Sequence, residues 1–266
     1  MAAIEPLDHT GEVLRVEHIA KRFGAIVALR DVNLHLRQGE SLGLIGDNGS
    51  GKSTLIKIIS GFQRPDAGRV LVRGEEVDLK SVDQARGLGI DCVYQDLALV
   101  DQLNVWQNMF LHREELHRPV PFLARRRMRR ETRAALDQIG VHIRSLDTRV
   151  GHLSGGQRQA IAVARTIYSD ADIILLDEPL AAMGAKEGSL ILDVIGHLRA
   201  QARVSMILIA HNYTHVLGSC DRINLLEDGR IALDKPAAET SLEELTGIIV
   251  EEYRHARELR EERQVA

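Results

Sequence analysis

Ser41-Leu42-Gly43-Leu44-Ile45-Gly46-Asp47-Asn48-Gly49-Ser50-Gly51-Lys52-Ser53 is an apolar run followed by a glycine-rich turn that ends on a lysine and a hydroxyl. The run Ser41 to Ile45 reads as a buried strand of a parallel sheet. Gly46, Gly49 and Gly51 lack a Cβ, so the backbone between them turns tightly and aims successive N–H groups inward, where phosphate oxygens are held. A helix predicted over Lys52 to Ser60 points its positive dipole end at the same place. Lys52 adds a point charge there, the Ser53 hydroxyl is placed to ligate Mg²⁺, and Thr54 supports the adjacent phosphate. Strand, loop and helix together specify an α/β fold built to hold a nucleotide polyphosphate.

A second acidic motif lies downstream. Asp172 to Leu176 reads as another short buried strand, and Asp177-Glu178 leave its carboxyl end, where ligands collect in open α/β sheets. Asp177 is expected to hold Mg²⁺ through water. Glu178, one residue on, is expected to take a proton from the water that attacks the γ-phosphate of ATP.

Between these motifs stands Leu153-Ser154-Gly155-Gly156-Gln157. A signature of this kind ahead of the second acidic motif resembles only the ATP-binding cassette (ABC) ATPases. The resemblance covers about residues 13–232. It implies a P-loop ABC ATPase fold: a RecA-like, mostly parallel sheet core, an N-terminal antiparallel β region and an inserted α-helical subdomain. Under it, residues 1–266 form a single nucleotide-binding domain. The β region and core occupy about 10–95 and 160–240, the helical subdomain with its signature about 96–159, and a helical tail 241–266.

The resemblance also supplies roles. His211, after the apolar run Ser205 to Ala210, stands where these ATPases keep a switch histidine that senses the γ-phosphate and orients water and Glu178. Gln95, after the strand Ile90 to Tyr94, matches the glutamine that reaches Mg²⁺ and reports occupancy to a membrane partner. Phe23 stands where an aromatic stacks on adenine; core packing is the competing reading. Ser154, Gly155, Gly156 and Gln157 open a helix running to Ile167, whose bare N–H groups suit an anion. In ABC ATPases that anion is the γ-phosphate held by the opposite subunit, so two chains close head to tail around shared sites.

Composition agrees with such a subunit. With 266 residues, 44% of them apolar, the chain can bury a substantial core. A net charge of −4 argues against a dedicated nucleic-acid binder. Cys92 and Cys220 have neither a paired nor a metal-ligand spacing and read as reduced thiols. The first residues, Met1 to Pro6, lack a basic flank and an apolar stretch, and no run approaches the ~18 apolar residues of a membrane span. Association with a membrane is expected through a partner, on the cytoplasmic face of a bacterial inner membrane.

Along the chain, short strands are predicted at Val13 to Ile19, Val32 to Leu36 and Val70 to Val72. From about Asp96 to His152 the pattern turns helical, with no glycine between Gly89 and Gly140. Within this insertion Arg125-Arg126-Arg127-Met128-Arg129-Arg130 reads as a solvated helix face more readily than as a patch for phosphates. Glu187 to Arg199 repeats apolar residues at Leu190, Ile191, Val194, Ile195 and Leu198, one face of a helix.

The segment Tyr94 to Val105, with Asn108 and Phe110-Leu111, resembles ATPases of bacterial monosaccharide importers, the fructose type in particular. Gly184 supports this, since most ABC proteins carry Asp there and the sugar group often has Gly. Leu180 replaces the usual Thr and leaves the carboxylates intact. Many monosaccharide importers fuse two cassettes, so a single cassette calls for a second copy or a partner ATPase. The expected assembly is two ATPases, permease subunits and a periplasmic sugar-binding protein, with ATP and Mg²⁺ as ligands. An exporter ATPase, or a soluble ABC ATPase outside transport, is the alternative.

Overall fold

The computed structural model describes residues 11–117, 122–181, 183–210 and 212–248. The chain begins with two long strands, β1 (Glu12–Phe23) and β2 (Ile26–Arg37), then β3 (Ser41–Ile45) and α1 (Lys52–Ile59). β4 (Ala67–Val72), β5 (Glu75–Val77), α2 (Val82–Gly87) and β6 (Ile90–Val93) follow. Next come α3 (Val105–Met109), β7 (Leu116–His117), β8 (Phe122–Leu123), α4 (Arg125–Gln138) and α5 (Gly155–Tyr168). The chain continues through β9 (Ile173–Asp177), α6 (Ala185–Gln201), β10 (Ser205–Ile209), α7 (Tyr213–Ser219), β11 (Arg222–Glu227) and β12 (Arg230–Pro236). Residues 242–248 are helical; the rest of the tail expected to be helical lies outside the described residues.

A six-stranded sheet of order β12-β11-β3-β10-β9-β6 forms the centre, and every neighbouring pair is parallel except the edge pair β11–β12. β3, β9 and β10 are buried at all five positions. That is why they read as unbroken apolar runs: a parallel strand is covered on both faces. Successive side chains enter different cores. Ile173 and Leu175 join the strands of the antiparallel sheet and α1 on one side, whereas Ile174 and Leu176 join α5 and α6 on the other.

The antiparallel sheet has the order β2-β1-β4-β5. Its first two strands are longer than their apolar stretches predict. They extend through polar residues and pair as far as Phe23 opposite Ile26, with a register shift between Val16 and Ile19 where His18 adopts φ 53°. There the His18 N–H donates to Asn33 Oδ1 at 2.9 Å.

The expected helical insertion also departs from its reading, because the hairpin β7–β8 interrupts it. Two-residue strands carry no periodicity, so nothing in the pattern announced them. The arginines of α4 are largely engaged within the chain. Arg127 pairs with Glu115 and Glu131, Arg129 bonds Asp147 and lies 5.3 Å from the Trp106 ring centroid, and Arg133 donates to the Ile143 carbonyl at 2.8 Å.

Arg222 organises the base of the sheet. Its side chain is 8% exposed; Nε donates to Glu40 Oε1 and Nη1 to Asp234 Oδ1, each at 2.7 Å, and Nη2 donates to the His35 carbonyl. One guanidinium thereby joins β2, the turn after it, β11 and β12. Both cysteines are buried and free, and burial pushes the Cys220 thiol up to about 12. Among the described residues no helix is long and apolar enough to cross a membrane.

Candidate active site

The loops that leave β3, β6, β9 and β10 emerge at the same edge of the sheet, because these strands are parallel. The loop after β3 is shaped by positions only glycine can fill. Gly46 has φ 148°, and a Cβ there would stand 2.1 Å from the Leu226 carbonyl oxygen. Gly51, at φ 111° in front of α1, would set its Cβ 2.6 Å from the Ala28 carbonyl oxygen. The loop is therefore pressed between β2 and the end of β11. Two backbone bonds tie these flanks: Gly229 N–H to the Ser50 carbonyl at 3.3 Å and Arg30 N–H to the Gly229 carbonyl at 2.9 Å.

Lys52 folds over this loop. Its Nζ donates to the Gly46 and Asp47 carbonyls, both at 2.7 Å, and the residue is 5% exposed. Burial lowers its pKa, against the opposing pull of Glu178, Glu227, Asp47 and Asp177. Ser53 is exposed one residue on. With Asn48, Gly49, Gly51, Lys52, Thr54 and Glu178 it lines a cleft at the start of α1.

Asp177 is buried at the end of β9, and Glu178 follows with φ 52°. Glu178 also lines a second groove, together with Gln95, Gly155 and Glu187, so this one carboxylate belongs to both clefts. Gln95 is exposed just past β6. His211 lies outside the described residues.

Phe23 sits at the tip of the β1–β2 hairpin, 45% exposed, with Lys21 Nζ 5.7 Å from the ring centroid. Core packing is thus not its role. β2, which pairs with its strand, reaches the phosphate loop at Ala28.

Ser154 is the N-cap of α5 and forms a reciprocal capping box with Gln157. Ser154 and Gly155 are exposed, and none of residues 154–157 lines the cleft at the phosphate loop of their own chain. Sequence reasoning missed Glu227, buried at the end of β11, whose charge acts on Lys52. Its signal was available: Arg222 to Glu227 ends on an acid, as the strand before Glu178 does.

The ABC transporter family profile matches residues 29–181. The xylose/arabinose import ATP-binding protein XylG of Sulfolobus acidocaldarius is 40% identical over 90% of this chain and 94% of its own. The fructose import ATP-binding protein FrcA of Rhizobium meliloti is 39% identical over 82% of this chain and 86% of its own. The ribose import ATP-binding protein RbsA of Hahella chejuensis is 36% identical, and this chain spans 47% of its length. Among solved structures, the ATP-binding cassette MJ0796, a dimer in a post-hydrolysis state bound to ADP and Pi, superimposes with a TM-score of 0.70 at 25% identity over 84% of this chain and 98% of that one.

Proposed function

Because this chain belongs to the ABC transporter family and is one of its ATPases, we propose that it powers a bacterial importer of a monosaccharide, a pentose or a hexose such as fructose. One observation carries the cargo: two relatives matched over most of their length bear names of pentose and fructose import. The chain would work at the cytoplasmic face of the inner membrane, docked on permease subunits that receive sugar from a periplasmic binding protein.

The residues fit the ligands. Gly46 and Gly51 let the loop turn close against the Leu226 and Ala28 carbonyls, so its N–H groups, and Lys52 once it leaves the Gly46 and Asp47 carbonyls, would take the phosphates. The donor set for Mg²⁺ is all hard oxygen: Ser53 hydroxyl, Asp177 carboxylate and Gln95 amide. Among the described residues no cluster of three or more His, Cys, Asp or Glu offers a metal cage. That accords with an ion held by one carboxylate and the phosphates of its substrate. When bound, Mg²⁺ neutralises charge on the β- and γ-phosphates.

Phe23 would stack on adenine from its hairpin tip. Glu178 would take a proton from water at a carboxylate oxygen while the water oxygen bonds to the γ-phosphorus and the bond to the β–γ bridging oxygen breaks. His211 and Gln95 would orient that water. The signature residues Ser154 to Gln157 would complete the site of a second cassette, in a head-to-tail dimer of two copies or of this chain with a partner ATPase. The exposure of Ser154 and Gly155, away from their own loop cleft, supports this reading.

Reconstitution tests the cargo. The chain is placed in liposomes with the permease encoded beside it, and uptake of labelled xylose, ribose and fructose delivered by the binding protein is measured. Uptake of one of them is expected to require internal ATP and to vanish with Lys52→Ala. ATP-driven transport of a non-sugar alone would overturn the assignment.

A further inference from the structure

Two helix amino ends converge on one carboxylate. Glu187 lies in the first turn of α6, where an acid suits that helix's own dipole. Its Oε1 also accepts the N–H of Gly155, the first residue of α5, at 3.2 Å. Gly156 favours this close approach: a Cβ there would stand 3.1 Å from the Glu187 carbonyl oxygen and 3.3 Å from its Cα. The neighbouring donor, Gln157 N–H, is taken by Ser154 Oγ at 3.3 Å. A negative charge therefore already stands at the helix end that is to meet an anion.

We propose that Glu187 is a positioning residue that sets how tightly the signature holds the partner's nucleotide. This inference rests on the composite-site reading above. In the separated chain the carboxylate satisfies Gly155 and neutralises the positive end of α5. As the partner's γ-phosphate arrives, like charges are brought together at the same helix end, and closure is opposed. Once phosphate departs, the carboxylate again has sole hold of the helix end, which favours reopening. A neutral acceptor keeps the hydrogen bond in weaker form and removes the charge that opposes the phosphate.

The test uses the full chain carrying Glu178→Gln, with ATP and Mg²⁺, and measures self-association by sedimentation velocity across a concentration series. The same chain with Glu187→Gln added keeps an oxygen that accepts from Gly155 N–H and loses only the charge; Glu187→Ala serves as a second neutral variant. Dimer Kd is expected to fall about tenfold in both, the scale of one charge at a helix end. The gain is expected to shrink in high salt, where the repulsion is screened. In the otherwise unaltered chain, Glu187→Gln is expected to lower the KM for ATP without raising kcat. Equal or weaker association of a folded Glu187→Gln protein overturns the role given to Glu187. A Glu178→Gln parent that stays monomeric with ATP defeats the composite site itself, and this role with it.

Discussion

The backbone N–H of Glu178 donates to the carbonyl of Ile209 at 3.0 Å, one residue beyond the last pair of the β9–β10 ladder, Asp177 with Ile209. The strand thus stays anchored while the chain turns into the left-handed region at Glu178, whose φ of 52° is costly for a residue with a side chain. Strain of this kind, held by a sheet, fixes a side chain in place. Glu178→Gln is expected to lower turnover by about 10²–10⁴ fold with ATP binding intact. Steady-state hydrolysis and nucleotide titration measure the two separately, and near-normal turnover would remove Glu178 as the base.

Phe23, nearly half exposed at a hairpin tip, contributes little to the core. Phe23→Ala is therefore expected to leave the unfolding midpoint almost unchanged. It is expected to weaken ATP binding by about 1–3 kcal/mol, the range of base–aromatic stacking. Calorimetric titration that finds unchanged affinity would take adenine away from this ring.

Gly51→Ala places a methyl group against the Ala28 carbonyl at a φ that side chains rarely adopt. A cost of about 1–3 kcal/mol in stability is expected from the strained backbone, with loss of nucleotide binding as the loop shifts. Urea unfolding and titration check both parts. Gly184→Ala, which meets nothing within 4 Å, is the matched control.

Removing Arg222 leaves Glu40, buried at 9% side-chain exposure, without its counter-charge. Arg222→Ala is expected to cost about 3–5 kcal/mol, as for one partner withdrawn from a buried pair. Denaturant unfolding of the isolated chain measures it, and a loss under ~1 kcal/mol, the scale of exposed pairs, would show that solvent replaces the arginine there.

Mixing tests the sharing of sites. Lys52→Ala chains cannot hold phosphate, and Ser154→Arg chains would block a partner's nucleotide. A mixed dimer has one site with both defects and one with neither. Part of the missing ATPase activity is expected to return, in proportion that rises with protein concentration. A Ser154→Arg chain fully active alone would defeat the composite site.

Much of this was legible because the central strands are dry on both faces. Ser41 to Ile45 and Ser205 to Ala210 read as strands from apolar composition alone, the second one residue longer than β10, and the glycines of the phosphate loop read from what their backbone must do. Less was visible where local pattern is weak. The polar outer halves of β1 and β2 lack the apolar pattern that marks a strand, and the hairpin Leu116–His117 with Phe122–Leu123 is too short to carry a period. Glu227 joins Lys52 only through the order of strands, and Glu187 meets Gly155 only through the packing of two helices. Both meetings are tertiary facts: the acid that closes β11 was itself a sequence signal, but its nearness to Lys52 was not, and nothing beside Glu187 announced its contact with Gly155.

Clamped between Ala28 on one strand and Leu226 on another, and tied again through Gly229, the phosphate loop has little conformational freedom left to lose. The backbone's ordering entropy was surrendered when the sheet formed, so a nucleotide meets a preorganised turn from which the Lys52 side chain has only to lift. Binding free energy that a floppy loop would have absorbed stays available for work done elsewhere in the assembly. A stiff receptor for ATP is, by that arithmetic, the better motor part.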